Sequence, residues 1–286
     1  MSRASFDERL QRAVERTGTL ACIGLDPHLE KFPPELKKTF EGRSGTERRE
    51  AAAKAVVAFN DEVLRRCEGK VPAVKPQLAF YEELGAPGWK ALEETCAIAR
   101  RRGLLVVADA KRGDIESTAR AYAHAILSDD GPLAADAVTI SPWLGIDAIE
   151  PFVGAVRDAG KGLFVLVRTT NPASGLLQGH GDPTAALVVA RALGQYDLPS
   201  IGAVVGAQTP RAEVTAIRSA MPRSWFLVPG YGAQGGRRDD CLAGARPDGM
   251  GILVSASRSV LYPGADGGSW SAIEAAIDAF VTDVRS

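Results

Sequence analysis

Residues 106–119, "VVADAKRGDIESTA", set Asp109, Lys111 and Asp114 directly behind an apolar run. On a strand, residues two apart share a face, so Asp109 and Lys111 can both point into one cavity. A charge turned inward is costly unless it is paired or used. Acid and base side by side can satisfy one another while both stay ionised. Fixed charges of both signs are the material of electrostatic and acid–base chemistry.

The same polar turn recurs at the ends of other apolar runs. "LACIGLD" (20–26) ends in Asp26, "PAVKPQ" (72–77) carries Lys75, and "LFVLVRTT" (163–170) ends in Thr169 and Thr170. Two further runs end in anion-binding material: "VPGYGAQGG" (228–236) is rich in glycine, and "SASRSV" (255–260) contains Arg258. Glycine lets backbone N–H groups approach an anion closely, and a guanidinium grips phosphate through two parallel hydrogen bonds. Each feature has a plain alternative. A lone Asp at a strand end is commonly a helix cap, which suits Asp114 before "IEST" but not Asp109, which a Lys and a loop follow. A lone Lys75 reads as an edge or snorkelling side chain, and glycines serve turns everywhere. Solvation alone does not explain Asp26, Lys75, Asp109 and Lys111 at three strand ends.

The elements that must position these residues are legible as a repeat. Eight short runs, 20–26, 72–77, 104–110, 135–141, 163–170, 201–207, 225–231 and 249–257, are nearly continuous in Val, Ile and Leu. Continuous rather than alternating apolar strands are those of a parallel sheet buried on both faces. Amphipathic stretches separate them, among them 48–67, 88–103, 182–196, 209–221 and 269–286, with Asp182-Pro183 and Thr209-Pro210 as helix starts. Eight strands alternating with helices predict an α/β fold, a single (β/α)8 barrel over residues 1–286 with an N-terminal helix. An open doubly wound sheet is the rival arrangement. The connections 27–49 and 230–247 are long and follow strand ends, the face on which barrels carry their active sites.

Composition narrows the classes. With 286 residues and 45% hydrophobic content, one barrel-sized core is available. A formal net charge of −1 argues against a nucleic-acid protein driven by bulk positive field, so an anion site must be local. No apolar run approaches the roughly 20 residues that span a bilayer, and the charged N-terminus has no signal-peptide segment; the chain reads as cytoplasmic. Cys22, Cys67, Cys96 and Cys241 form no CxxC pair, and His28, His124 and His180 show no metal-ligand spacing. Reduced, inert thiols and no metal are the expectation.

Taken in order, the motifs resemble one family. "DAKRGDIESTA" resembles the DxKxxDIxxT signature of the orotidine 5'-phosphate decarboxylases. "GLDP" (24–27), "KPQLAFYE" (75–82), "TISPWLG" (139–145), "RTTNPASG" (168–175), "PGYGAQGG" (229–236) and "SASRSV" (255–260) are similar to that family in the same order. The resemblance is closest to its longer bacterial branch, which carries an extended segment after the first strand. It implies a cofactor-free lyase that converts orotidine 5'-phosphate to uridine 5'-phosphate and CO2, the last step of de novo UMP synthesis. It further implies that Lys111 donates the proton, that Asp109 lies beside the substrate carboxylate, and that Asp26 and Lys75 hold ribose hydroxyls. Asp114, Ile115 and Thr118 would open the next helix and reach into the other subunit's site of a homodimer. Gln234 would bridge base and phosphate, and Arg258 would bind phosphate. The role of Tyr231 is left open. Thr170 departs from the family's usual Ser, keeping the hydroxyl and adding a methyl that can tighten the pocket. The rival readings are a Mg²⁺-dependent sugar-phosphate decarboxylase or aldolase of the same barrel type, and a barrel that only binds nucleotides.

Overall fold

The computed structural model describes residues 4–232, 235–264 and 268–286. The eight apolar runs form β1 (Ala21–Leu25), β2 (Ala73–Pro76), β3 (Leu105–Arg112), β4 (Ala137–Ile140), β5 (Gly162–Arg168), β6 (Ile201–Val205), β7 (Phe226–Pro229) and β8 (Ile252–Ala256). They pair in parallel, each with its neighbour in sequence, and β8 closes on β1 through Cys22 opposite Ser255. A closed parallel barrel replaces the rival open sheet, and it leaves no strand edge to protect. Its strands are buried almost throughout, because helices cover the outside and side chains fill the inside.

The helix Phe6–Thr17 closes the N-terminal mouth. It starts on a capping box in which the Glu8 N–H donates to Ser5 Oγ and the Ser5 N–H donates to the Glu8 carboxylate. Gly18, at φ 66°, ends it in the left-handed conformation. Phe6 meets Phe164 edge-on at 5.9 Å, and a side chain on Gly162, the first residue of β5, would collide with the Phe6 ring. Arg9 pairs with Asp136, just ahead of β4. The cavity lies at the other end, lined by residues at the C-terminal ends of the strands.

Several boundaries differ from the sequence reading. The helix expected from residue 48 begins at Gly45 and runs to Cys67. The one expected from Asp182 begins at Ala185, capped by Thr184, whose Oγ accepts from the Leu187 N–H. Pro210, not Thr209, precedes the helix Arg211–Ala220, since a proline nitrogen has no proton to leave unsatisfied there. The long connection after β1 is packed rather than loose. Phe32 is fully buried and stacks on Phe59 at 4.4 Å, and Phe40 meets Phe32 at 6.5 Å. Burying rings of this size contributes a few kcal/mol each, about 1.5–3, which is enough to hold a segment whose regular structure is limited to the short helices Leu29–Lys31 and Pro34–Lys37. All four cysteines are buried free thiols, which burial pushes up to about 12. They are therefore poor nucleophiles near neutral pH.

Candidate active site at the C-terminal mouth of the barrel

Strand register brings Lys75 and Asp109 together. Gln77 lies opposite Asp109 across β2 and β3, and two residues back the Lys75 side chain points to the same inner face. Lys75 Nζ donates to Asp109 Oδ2 at 2.7 Å, and Lys111 Nζ donates to Asp109 Oδ1 at 2.6 Å. Lys75 and Asp109 are buried, at 7% and 6% exposure, while the Lys111 side chain is 46% exposed. The inward pairing expected of Asp109, Lys111 and Lys75 is what the fold delivers, and Lys75 neither edges the sheet nor snorkels.

Magnitudes explain why the buried pair stays ionised. Removing each ion from water costs several kcal/mol. Attraction at 2.7 Å and an effective dielectric of about 20 returns on the order of 6 kcal/mol. One partner would leave the balance close, but Asp109 has two cations and a hydroxyl. Burial pushes its carboxyl up, and the Lys75 and Lys111 ammoniums outweigh that and hold it well below the usual carboxylate range. Burial pulls the Lys75 ammonium down, and the Asp109 and Asp26 carboxylates outweigh that and hold it above its ordinary value.

Thr139, at 1% exposure on β4, is the third contact of Asp109 and was not singled out by the sequence reading. Its hydroxyl donates to Asp109 Oδ1 at 2.9 Å and accepts the Lys111 backbone N–H at 3.0 Å. Lys111 sits at φ 48°, in the left-handed region that non-glycine residues avoid. The Thr139 contact helps fix that backbone and so aims the ammonium. A threonine in an apolar strand carries no local signal, because β-branched residues favour strands in any case.

Asp26 stands just past β1 with Oδ1 buried and without a hydrogen-bond partner. It acts on Lys75 through space rather than by direct contact, so the charge chain has a gap on that side. A buried orphan acceptor facing a cavity is a place for a ligand hydroxyl. The cavity, about 240 Å³, is lined by Asp26, Lys75, Asp109, Lys111, Thr170 and Arg258 among others. Arg258 is exposed and opens the short helix Arg258–Leu261. Among the described residues, no carboxylate pairs with its guanidinium. Ser257 Oγ and Ser259 Oγ beside it are also buried without partners. The expected residue Gln234 lies outside the described residues.

The methyl of Thr170 lies against two glycines. A Cβ on Gly206 would come within 2.5 Å of Thr170 Cγ2, and one on Gly230 within 3.2 Å. The extra methyl thus occupies space the glycines leave. Tyr231 lines the rim and donates to Asp283 Oδ2 at 2.7 Å.

Asp114, Ile115 and Thr118 do not share one helix. The helix begins at Glu116, after Ile115, and no side chain caps it. Asp114 Oδ1 accepts the N–H of its immediate neighbour Ile115 at 2.8 Å. The capping role suggested for Asp114 is therefore corrected: at φ 45°, Glu116 turns the chain before an Asp cap can form. Ile115 is half exposed and Thr118 is exposed. Neither Asp114, Ile115 nor Thr118 lines this cavity.

A larger depression, about 1360 Å³, lies between the helices Gly45–Cys67 and Ala86–Arg101, away from the strand ends. Asp26, Lys75, Asp109, Lys111 and Arg258 line the smaller one. Among the described residues, no helix is long and apolar enough to cross a membrane.

Comparison with known proteins places the chain in a family. The family described as orotidine 5'-phosphate decarboxylase / HUMPS matches residues 20–260. The curated orotidine 5'-phosphate decarboxylase of Rhodopirellula baltica is 40% identical over 272 residues, covering 90% of this chain and 88% of that one. That of Deinococcus radiodurans is 42% identical over 264 residues, covering 88% of each. The solved structure of Leishmania donovani OMP decarboxylase superposes with a TM-score of 0.73 at 34% identity, covering 97% of this chain and 99% of that one. The chain belongs to the orotidine 5'-phosphate decarboxylase / HUMPS family.

Proposed function

We propose that the protein decarboxylates orotidine 5'-phosphate to uridine 5'-phosphate and CO2. The observation that carries the reading is the Lys75–Asp109–Lys111 array, held ionised at the cavity floor. Breaking the C6–carboxylate bond leaves its electron pair on C6, where no neighbouring carbonyl delocalises it in the ordinary way. The Lys111 ammonium supplies positive charge where that pair develops and then gives C6 a proton. The neutral amine regains its proton from solvent. Because Asp109, itself held by Lys75 and Thr139, already holds the ammonium, little reorganisation accompanies the reaction.

Asp26 and Lys75 take the ribose hydroxyls, and the buried orphan Asp26 Oδ1 supports that role. Arg258 binds the phosphate, with Gln234 between phosphate and base. Phosphate binding far from C6 then contributes to the barrier as well as to affinity. The working unit is a homodimer in which Asp114, Ile115 and Thr118 serve the other subunit's site. Two features support this. Ile115, Trp143 and Leu144 are large apolar side chains at 51%, 73% and 52% exposure on the loops after β3 and β4. Those loops touch, since a Cβ on Gly113 would lie 3.0 Å from Ser141 O.

The test is the loss of orotidine 5'-phosphate absorbance, with chelator present, by the wild type and by Lys111→Ala. Turnover by the wild type and its loss in the folded variant are expected. No turnover by the wild type, or near-normal turnover by the variant, overturns the reading. Activity that needs a divalent cation and a sugar phosphate supports the aldolase-type rival, and binding of uridine 5'-phosphate without turnover supports the non-catalytic one.

A further inference from the structure

Tyr262 lies beyond every motif discussed so far, yet its hydroxyl reaches the end of β1. It donates to the backbone carbonyl of Asp26 at 3.0 Å and accepts the backbone N–H of His28 at 2.8 Å. It therefore brackets Pro27, which has no N–H of its own to anchor the turn and which disfavours helical backbone at Asp26. The ring is 5% exposed, stacked on Phe59 at 5.8 Å and edge-on to His28 at 5.6 Å. Four residues earlier is Arg258, whose carbonyl accepts the Tyr262 N–H at 3.1 Å.

One residue thus ties the backbone of the Arg258 helix to the backbone of Asp26. Asp26 Oδ1 is buried with no hydrogen-bond partner among the described residues, so no hydrogen bond to that oxygen fixes its direction. Its aim depends on the turn, which Tyr262 braces alongside the turn's own hydrogen bond from the His28 N–H to the Asp26 carbonyl at 3.0 Å. The Tyr81 hydroxyl also reaches this strand end, but it meets Leu25 O at 3.4 Å, a longer contact one residue earlier.

We propose that Tyr262 is a positioning residue that sets the reach between the two ends of the ligand site, aiming Asp26 at the ribose hydroxyls while Arg258 holds the phosphate. The inference rests on the ribose role given to Asp26 above. Tyr262 touches neither ligand nor reacting atoms; it acts through Asp26. A ligand that carries both ribose and phosphate depends on it, and a bare phosphate does not.

The test is a double-mutant cycle in binding of uridine 5'-phosphate, measured by calorimetry on wild type, Tyr262→Phe, Asp26→Ala and the double variant. Phe keeps the stacked ring and removes only the hydroxyl. Tyr262→Phe is expected to weaken uridine 5'-phosphate about tenfold, the scale of one buried hydrogen-bonding group left unpaired. The double variant is expected to bind as weakly as Asp26→Ala alone, and inhibition by inorganic phosphate should stay unchanged by Tyr262→Phe. Additive losses, equal weakening of inorganic phosphate, or no effect of Tyr262→Phe each overturn the proposal, as does a loss traced to a lowered unfolding midpoint. If Asp26→Ala itself binds normally, the ribose role of Asp26 falls and the inference with it. Decarboxylation by the wild type is scored separately, so that failure is distinct from failure of the activity.

Discussion

Thr139 on β4 donates to Asp109 on β3 at 2.9 Å while accepting the backbone N–H of Lys111 at 3.0 Å. One hydroxyl therefore serves both members of the charge pair. It also braces a lysine held at φ 48°, a conformation that costs roughly 1–3 kcal/mol unless its surroundings support it. Thr139→Val keeps the shape and removes both bonds. Decarboxylation should fall about 10–100-fold, mostly in kcat, because the contacts orient the ammonium rather than bind ground-state substrate. Steady-state kinetics on the folded variant decide it, and an unchanged kcat refutes the role.

The proposed shared site has a signature in mixed dimers. Lys111→Ala and Asp114→Ala homodimers should each be nearly inactive. After unfolding and refolding as a mixture, hybrid dimers place both lesions in one site and leave the other whole. Up to about a quarter of wild-type activity is expected, since random pairing makes about half the dimers hybrid and each has one working site. No recovery, with exchange confirmed by differently tagged subunits, counts against donation across the interface.

The Asp109 array also predicts a pH dependence of stability. The Asp109 carboxyl is depressed because Lys75 and Lys111 outweigh the effect of burial. Its contribution is therefore complete above the unfolded value of about 4 and is lost as pH falls through the lower folded value. The Lys75 ammonium is raised, so its contribution is complete below about pH 10.4 and is lost only as pH rises through a higher value. Asp109→Asn should be less stable than wild type between these limits, and the difference in urea midpoint should shrink below about pH 4. A gap that stays constant from pH 6 to pH 3 contradicts the assignment.

Thr170 and Gly206 should couple. Gly206→Ala puts a methyl about where Thr170 Cγ2 already lies, at 2.5 Å, and is expected to cost about 1–3 kcal/mol as overpacking. Thr170→Ser removes the opposing methyl, keeps the hydroxyl, and should recover most of that loss while retaining turnover. Chemical denaturation of the two single variants and the double variant measures the coupling. Independent effects mean that the methyl does not fill the glycine space.

The inner-face charges were legible because their signal is local. Asp109 and Lys111 are two apart on one strand, and an apolar run followed by alternating charge announces a strand end whatever the chain does elsewhere. Arg258 and the glycines of 228–236 were legible as anion-binding material for a similar reason: the residue types themselves carry the chemistry. Asp114 was only half legible. Its presence in the motif is plain, but the helix beside it starts two residues later than the pattern suggests, because the backbone turns at Glu116. The packing of the segment after β1 was not legible because Phe32 and Phe40 lie in a stretch without periodicity, and Phe32 is covered by Phe59 of the helix that follows, Gly45–Cys67, with Phe40 against Phe32.

By itself, the sequence determined the eight-strand repeat, the polar strand ends and the residue types offered to the cavity, because strand period and side-chain chemistry are properties of a few neighbouring residues. The tertiary structure decided which of those groups meet. Lys75 reaches Asp109 because β2 pairs with β3 in the register that sets Gln77 opposite Asp109. Thr139 becomes part of the array because β4 lies next to β3, and Tyr262 reaches Asp26 because β8 returns beside β1. Those adjacencies join residues tens to hundreds of positions apart: pairing of neighbouring strands supplies the first two, and closure of β8 on β1 supplies the third.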